Sequence, residues 1–468
     1  MTFHQFRHSS GWKFNRRLLR FLLWRRRHVS DTAFLFIVAT VTGLLAGAGA
    51  FVLKRLVAGV SGLLVAGLHS MSANWVLLII PLAGILLTGV FCRYVIRMKL
   101  AHGVRQLMKN LSEKIYRLRA ALTVTPILAS TITLGFGGSA GSEGPIAYAG
   151  AAIGSNLGRV MRFSPRMMMV IVGCGAGAGI AGIFKSPLGG VLFTLEVLRL
   201  PLSTVSVLVL VVSCITAGMT AYMLSGCTLD IPFAQGAGFD SSLLPYVLCL
   251  GLFCGAYSLY YSHVMKSVGT ILYRISSPWV RNLAGGAILA LLVFLFPVLY
   301  GEGYGTVGKV INGDFSTLLN DSLFAGCGGQ WSLVLFTGGA LLVKCFATSA
   351  TNNGGGVSGD FAPTLFAGCM GGFFFASLLN GLFGLHLPEA SFAYFAMAGV
   401  MAGAIRAPLM AIFLTCEMGA AYSYFLPLMI TATVSFGVVR LFTADSFFSR
   451  HSDRNNGLVA RLRDLRKG

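Results

Sequence analysis

The chain has 468 residues, of which 55% are hydrophobic and only 11% are charged. Soluble domains carry about 25% charged residues, so this composition excludes a soluble protein and predicts an all-α polytopic membrane protein. The formal net charge of +21 would suit nucleic acid, but no basic soluble domain is present to bind it, and the lipid bilayer is the expected partner.

Long apolar stretches follow one another along the chain and are predicted to be membrane helices. They cover residues 32–53, 75–95, 168–183, 205–224, 243–261, 283–299 and 422–441. Before the first of them, residues 12–24 interleave apolar side chains with Arg and Lys, a pattern typical of a helix lying on anionic lipid. The 59 glycines favour close helix contacts and broken helices, both of which are common in transporters.

Basic residues concentrate in four segments, and their distribution predicts the orientation of the chain. The segments are 16–27, 93–119, 159–166 and 450–467. The positive-inside rule predicts that all four, together with both termini, are cytoplasmic. The predicted organisation, in the inner (cytoplasmic) membrane of a prokaryote, is a basic interfacial segment, a transmembrane domain and a short basic tail, at 1–30, 31–449 and 450–468.

The ten cysteines lie scattered among apolar residues without paired spacing. They are interpreted as small core residues, so no disulfide, metal site or cofactor is expected. The chain also lacks the His-Glu-x-x-His and Gly-x-Ser-x-Gly motifs and paired aspartates in apolar segments, which argues against an enzyme.

The segment Gly-Ser-Glu-Gly-Pro at 141–145 places Glu143 in a glycine-rich region whose flanks, 127–139 and 146–157, carry no other charge. A charged side chain at membrane depth costs roughly 2.5–3.5 kcal/mol, so such residues usually lie on an ion or substrate path. Gly and Pro indicate that a helix begins there, and a helix N-terminus attracts anions. Glu143 is therefore predicted to compete with an anion, as a gate does.

Two pairs of segments resemble each other in the same order along the chain. Ala-Gly-Ile-Phe-Lys-Ser-Pro at 181–187 matches Ala-Gly-Ala-Ile-Arg-Ala-Pro at 402–408, and in both a glutamate follows nine residues after the proline. Upstream, the segment at 141–145 resembles Gly-Asp-Phe-Ala-Pro at 359–363. Two ordered matches indicate an internal duplication.

The duplication predicts two structural repeats, at about 31–226 and 240–449. Each repeat supplies Gly/Pro breaks followed by apolar helices, and broken helices at corresponding places in two repeats point to a binding site at their interface. Four helix starts meeting near the midplane would form a positively polarised pocket that holds and releases a small anion. The alternative is that the glycines serve only helix packing.

These segments resemble the CLC family of chloride channels and chloride/proton antiporters, over roughly residues 32–449. The segment at 141–145 is similar to the family's Gly-Arg/Lys-Glu-Gly-Pro, with Ser142 in place of the base, and 359–363 is similar to its Gly-x-Phe-x-Pro. The resemblance implies two inverted repeats whose broken helices meet at the midplane. It also implies a homodimer with a separate anion pathway in each subunit.

The resemblance assigns the role of the family's gating glutamate to Glu143. Its carboxylate would occupy an anion site when ionised and swing away when protonated. Backbone amides near Gly144, Phe361 and Ala362 would line the central anion site. The alternative for Glu143 is a structural carboxylate that caps a helix.

Three further positions depart from the family pattern. The inner anion motif Gly-Ser-Gly-x-Pro corresponds to residues 101–105, so His102 replaces its serine, and Gly103 follows it. His102 is either an anion donor whose charge follows pH or an ordinary residue of a basic loop. The internal glutamate of the antiporters corresponds to Val197, and the pathway tyrosine corresponds to Phe448, which would form an apolar constriction. Val197 and Phe448 both favour weak coupling to protons.

Other charged residues near the breaks have two interpretations each. Lys185 and Arg406 precede equivalent prolines and either attract anions or pair with a nearby glutamate, and pairing is favoured for Arg406. Glu196 is expected to be the buried partner of a base. Asp360 either caps the helix that follows it or titrates as part of a proton path.

The favoured function is transport of chloride or a similar small anion through a pathway gated by Glu143, with weak or no coupling to protons. The first alternative is a chloride/proton antiporter with a non-standard internal proton path. The second, from another class, is a cation- or proton-driven transporter that uses the buried carboxylates. The chain has only 15 acidic residues against 36 basic ones, which favours anions, and Pro145 favours the chloride-type branch over fluoride-selective relatives.

Overall fold

The computed structural model describes residues 23–443 except 26, 66–74, 98–102, 202, 230, 232, 234–238, 316–317, 320–321, 323 and 325–328. His102 and Phe448 lie outside the described residues, as do the basic tail and most of the predicted interfacial segment. The roles predicted for them stay predictions.

From Asp31 onward the described chain is a succession of α-helices joined by short loops. The first half contains α1 (Asp31–Val65), α2 (Val76–Val90), α3 (Gly103–Ser112), α4 (Thr125–Gly135), α5 (Glu143–Val160), α6 (Pro165–Phe184), α7 (Pro187–Leu192) and α8 (Thr204–Leu224). The second half contains α9 (Leu244–Tyr273), α10 (Pro278–Leu295), α11 (Tyr304–Ile311), α12 (Gln330–Asn353), α13 (Phe361–Phe383), α14 (Glu389–Ile405), α15 (Pro408–Gly419) and α16 (Phe425–Phe442).

Short irregular turns extend or join these helices. Two are π-helical, at Phe91–Ile96 and Phe193–Val197, and four are 3₁₀-helical, at Ala120–Thr123, Ser241–Leu243, Pro297–Leu299 and Tyr422–Tyr424. In the part of the chain that is described, the only β-type pairing is an isolated antiparallel bridge between Gly141 and Gly359.

The internal duplication appears in the structure as a helix break that recurs in the two halves. Helices α6 and α14 both end at a basic residue in the left-handed conformation, Lys185 with φ 53° and Arg406 with φ 63°. The next helices, α7 and α15, begin at Pro187 and Pro408. Proline cannot continue a helix but suits its first turn, so the same break recurs in both repeats. The predicted repeat architecture is confirmed.

Nine helical segments within the described residues are long and apolar enough to cross a membrane. Seven correspond to the apolar stretches of the sequence, and the other two, Trp331–Asn353 and Phe361–Phe383, lie in α12 and α13. The predicted all-α polytopic class is confirmed. The stretch predicted at 283–299 ends earlier as a helix, at Leu295, because Pro297 begins a 3₁₀ turn.

Glycines let the central helices pack backbone against backbone. A Cβ placed on Gly150 of α5 would lie 2.1 Å from the carbonyl oxygen of Gly175 in α6. In the second half, a Cβ on Gly372 of α13 would lie 2.2 Å from the carbonyl oxygen of Phe392 in α14. Such a close approach to a backbone carbonyl requires a residue without a Cβ on one side of the contact. They fix α5 and α13 in the interior, where the two helices begin side by side.

Candidate functional site

The starts of α5 and α13 are joined by the pairing of Gly141 with Gly359. The Gly141 amide donates to the Gly359 carbonyl at 3.0 Å, and the Gly359 amide donates back to Gly141 at 2.6 Å. A Cβ on Gly359 would lie 2.7 Å from the nitrogen of Gly144, so the approach requires glycine. The predicted meeting of helix starts from the two repeats is present in this pair.

Glu143 directs its carboxylate at the first amides of α13, across the repeat boundary. The residue is fully buried, and its Oε1 accepts hydrogen bonds from the amide of Ala362 at 2.9 Å and from the hydroxyl of Tyr304 at 3.1 Å. Its Oε2 is buried without a hydrogen-bond partner among the described residues. A carboxylate held by helix-start amides occupies the kind of place that an inorganic anion would occupy.

Gly103 and Gly144 also come together at this point. A Cβ on Gly103, the first residue of α3, would lie 2.4 Å from the carbonyl oxygen of Gly144. The predicted anion-site residues Gly103, Gly144, Phe361 and Ala362 are therefore neighbours of the Glu143 carboxylate or of the helix start that carries it. Helix α3 approaches the same junction from a third direction.

The α5 start is held by a second carboxylate, Glu302, which the sequence analysis did not identify. Glu302 Oε1 accepts from the Ser142 amide at 2.9 Å and from the Ser142 hydroxyl at 2.5 Å. The family pattern has a base at the position of Ser142, whereas this chain has a serine bound to an acid. Glu302 lies in Gly-Glu-Gly-Tyr at 301–304, a charge between glycines like Glu143, and that likeness was the signal available in the sequence.

A buried lysine completes the charged cluster around Glu143. Lys344 of α12 is fully buried, donates to the Ser139 hydroxyl at 2.9 Å and lies 4.4 Å from the centre of the Phe366 ring. Its ammonium group interacts electrostatically with Glu143 and Glu302. A buried charge is tolerated only when it is compensated, and here one ammonium faces two carboxylates. The sequence signal was a lone Lys in an apolar helix.

Asp360 does not cap the helix that follows it. Its side chain makes no capping hydrogen bond to α13. Instead it accepts from Asn352 Nδ2 at 2.5 Å and lies 3.8 Å from an Arg105 guanidinium nitrogen, while Asn352 also accepts from the Ser358 hydroxyl. The capping interpretation is therefore wrong, because Asn352 and Arg105 draw the carboxylate away from the helix axis. The Ala362 amide at the start of α13 therefore donates to Glu143 and not to Asp360.

The other two broken helices, α7 and α15, are held by acids from opposite repeats. Glu196 accepts from the amides of Leu409 at 3.3 Å and Met410 at 2.8 Å. Glu417 accepts from the Leu188 amide at 2.9 Å, from the Gly189 amide at 3.2 Å and from the Ser186 hydroxyl at 2.6 Å. The partner expected for Glu196 was a base. The structure shows helix-start amides instead, since the opposite repeat brings them within reach.

Lys185 and Arg406 end their helices and bond to loop and helix-end groups. Lys185 Nζ donates to the Thr228 carbonyl at 2.6 Å, and Arg406 donates to the Thr443 hydroxyl. Val197 is buried at the end of the π-helical turn Phe193–Val197. That turn reaches the site through the ring of Phe193, which packs edge-on against Phe361 with centroids 5.7 Å apart.

Comparison with known proteins gives a consistent set of relatives. A family model described as "Voltage gated chloride channel" matches residues 84–440. A ClcB-like chloride channel protein of Ralstonia nicotianae is 29% identical over 397 residues, which cover 83% of this chain and 88% of that protein. The voltage-gated ClC-type chloride channel ClcB of Salmonella typhi is 30% identical over 335 residues, which cover 69% of this chain and 74% of that protein.

Solved structures with the same fold include two antiporters. A slow cyanobacterial Cl⁻/H⁺ antiporter matches with a TM-score of 0.77 and 23% identity, over 90% of this chain and 97% of that one. A CLC-type fluoride/proton antiporter matches with a TM-score of 0.69 and 23% identity, over 88% of this chain and 96% of that one. At this level of identity the likeness shows the fold.

Proposed function

The chain belongs to the voltage-gated chloride channel (CLC) family, a family of membrane channels and transporters and not of enzymes, and we propose that Glu143 gates its anion pathway. The transported ion is chloride or a similar small anion. The observation that carries the proposal is the hydrogen bond from the Ala362 amide to the Glu143 carboxylate, 2.9 Å long and formed between opposite repeats.

The gating mechanism follows from the charge of Glu143. The first amides of a helix carry a partial positive charge and bind anions. An ionised Glu143 satisfies the Ala362 amide and excludes a free anion from that place. Protonation removes the negative charge, weakens the charge-assisted hydrogen bond and lets chloride take the amide instead. A lower pH on the side of the membrane from which protons reach Glu143 therefore opens the pathway.

The carboxylates elsewhere in the fold favour an anion over a cation as the transported species. Glu196 and Glu417 already accept hydrogen bonds from the helix-start amides of α15 and α7. Asp360 is bound by Asn352 and faces Arg105. These acids are engaged in contacts that stabilise the fold, which argues against the cation-driven alternative. The curated relatives are named chloride channels, which supports chloride over fluoride.

Coupling to protons is proposed to be weak. The position that the family's antiporters give to an internal acid is Val197, a buried apolar residue, so the usual proton donor to Glu143 is missing. Antiport remains the second candidate, because Asp360 supplies a buried acid close to the site. A homodimer in the prokaryotic inner membrane, with both termini cytoplasmic, completes the proposal.

The test is chloride efflux from proteoliposomes loaded with chloride, followed with a chloride electrode while a second electrode records external pH. We expect chloride efflux with fewer protons moved than a coupled exchanger of fixed stoichiometry would move. Protons driven uphill in fixed proportion to chloride would establish the antiport alternative. Absence of chloride efflux, with efflux of another anion in its place, would contradict the choice of ion.

A further inference from the structure

Helix α12 carries a line of polar side chains through the interior of the fold. Lys344, Thr348 and Asn352 are spaced four residues apart, so they share one face, and they are 0%, 0% and 5% exposed. At 1.5 Å per residue the line is about 12 Å long. Polar groups inside a membrane protein are costly and usually mark a path for ions, protons or substrate.

Each end of this polar line meets a buried carboxylate. At one end Lys344 donates to Ser139 and interacts electrostatically with Glu143. At the other end Asn352 donates to Asp360 at 2.5 Å. The line therefore runs between the acid at the anion site and the acid that faces Arg105.

Tyr261 of α9 faces the middle of the line. One turn before it, the Tyr257 hydroxyl donates to the Leu341 carbonyl at 2.9 Å. One turn after it, the Met265 carbonyl accepts from the Ser349 hydroxyl at 3.1 Å. Helices α9 and α12 thus run side by side in constant register, and the ring of Tyr261 enters between these two contacts.

Two buried hydroxyls meet at this point. The Tyr261 and Thr348 hydroxyls are both buried, neither makes a hydrogen bond of standard geometry among the described residues, and Tyr261 is only 3% exposed. The Thr348 hydroxyl is near enough to hydrogen-bond the Tyr261 phenol, which also interacts electrostatically with Asp360 and with Glu143. Buried polar groups with unused hydrogen-bonding capacity commonly bind ordered water.

We propose that Tyr261 and the polar face of α12 form a hydrated path along which protons pass between Asp360 and Glu143. The proposal rests on the function proposed above and names the residues responsible for its weak proton coupling. In the antiporters an internal glutamate supplies protons, and this chain has Val197 at that position. The proposed path would supply the protons instead.

The proton moves from Asp360 to Glu143 in a relay of single proton transfers. Protonated Asp360 gives its proton to a neighbouring water, and the water passes a proton to the oxygen of Tyr261. The hydroxyl proton of Tyr261 moves on to the next water, which protonates the Glu143 carboxylate. Tyr261 and the waters end as they began, Asp360 is left ionised and Glu143 is neutral.

The charges along the path explain why it would be slow. Arg105 lies 3.8 Å from Asp360 and favours the ionised carboxylate, so the protonated donor that the path needs forms infrequently. Lys344, in its ammonium form, repels an excess proton approaching Glu143, and Glu302 and Tyr304 also face Glu143. Cys345 faces Tyr261 from α12. A positive charge beside the exit of the path is expected to make proton delivery infrequent relative to chloride passage.

The test compares Tyr261→Phe and Asp360→Asn with wild type in proteoliposomes, with chloride efflux and proton movement recorded together. We expect proton movement to fall about tenfold in Tyr261→Phe, since a positioned proton-transfer group is lost, while chloride efflux continues. Asp360→Asn should reduce proton movement in the same way. The matched control is Tyr257→Phe, which removes the hydroxyl bonded to Leu341 one turn away and should leave both fluxes unchanged.

Several outcomes would overturn the path. Proton movement that is unchanged in Tyr261→Phe and in Asp360→Asn would do so, and so would wild-type chloride efflux without any proton movement. An equal loss of both fluxes in Tyr261→Phe would show a structural role instead. A wild-type protein that releases no chloride would contradict the proposed function itself, so the two failures are distinguishable.

Discussion

Glu196 and Glu417 occupy matching positions in the two repeats, and each accepts hydrogen bonds from the first amides of a helix in the other repeat. Glu196 binds the start of α15, and Glu417 binds the start of α7. Helix-start amides cannot be left unpaired within a membrane, so the exchange satisfies both helices. It also joins the repeats at a second point besides the pairing of Gly141 with Gly359. Of these four broken helices, α5 and α13 are the two whose starts lie at the Glu143 site.

Removal of either acid is expected to weaken the fold more than transport. Glu417→Ala leaves the Leu188 and Gly189 amides and the Ser186 hydroxyl without their acceptor, at a cost of about 1–3 kcal/mol. We expect a clearly lower midpoint of thermal unfolding in detergent, and a similar decrease for Glu196→Ala. The control is Glu389→Ala, which removes an acceptor of one longer bond from Asn380. An unchanged midpoint in both variants would contradict the capping role.

Replacement of Glu143 should abolish the pH dependence of chloride efflux. In the wild type, efflux is expected to rise as the external medium becomes more acidic, because the neutral carboxylic acid no longer competes for the Ala362 amide. Glu143→Gln and Glu143→Ala lack the charge at every pH, so their efflux should be high and flat across the same range. The measurement is the initial rate of chloride efflux at a series of external pH values.

The control for these pH measurements is a variant that removes a carboxylate outside the site. Glu389→Gln keeps Glu143 intact and should retain the wild-type pH profile. A Glu143→Gln protein whose efflux still rises in acid would show that another group gates the pathway.

Sequence alone predicted the features whose signal is local in the chain. The helix starts at Glu143, Pro187, Phe361 and Pro408 were all predicted, because Gly and Pro break helices through backbone geometry that needs no distant partner. Helix α12 was missed as a membrane span, because Lys344 and the polar residues that follow it interrupt its apolar run.

The partners of the buried charges could not be predicted, because they come from elsewhere in the fold. Glu302 binds Ser142, 160 positions away in sequence, and no periodicity links the two. For Glu196 a base was the expected partner, yet the opposite repeat supplies amides. Asp360 has the residue type and position of a helix cap, and only the packing of α12 beside it shows that Asn352 takes its carboxylate.

The charge balance around Glu143 leads to a prediction about stability. Lys344→Met leaves Glu143 and Glu302 buried without their ammonium partner, and breaking a buried ionic cluster costs about 3–5 kcal/mol. We expect low yield and a large decrease in the thermal midpoint. The double variant Lys344→Met with Glu302→Gln removes one charge of each sign and should recover part of the loss.

A surface pair provides the matched control for this prediction. Lys109 lies 3.9 Å from Glu113 on the exposed side of α3, where ion pairs contribute about 0.3–0.5 kcal/mol. Lys109→Met should therefore change the midpoint little. If the double variant is no more stable than Lys344→Met alone, Lys344 does not act by compensating Glu302.

The two paired glycines should respond differently to the same substitution, because their Cβ atoms would meet different groups. A Cβ on Gly141 would lie 2.0 Å from Glu143 Oε2, the mobile end of a side chain, so Gly141→Ala should displace the carboxylate and raise chloride efflux at neutral pH. A Cβ on Gly359 would lie 2.7 Å from the backbone nitrogen of Gly144, so Gly359→Ala should separate the helix starts and abolish efflux.

The control for both glycines is Gly305→Ala. A Cβ at Gly305 would have no neighbouring atom within 4 Å, so this variant should leave efflux unchanged. Each variant is compared with wild type for its elution in gel filtration and for chloride efflux at neutral and acidic pH. A Gly141→Ala protein with a wild-type pH profile would mean that Glu143 gates from a position other than the Ala362 amide. Gly141→Ala and Gly359→Ala acting alike would mean that the pairing is only structural, because a displaced gate raises efflux whereas a separated anion site abolishes it.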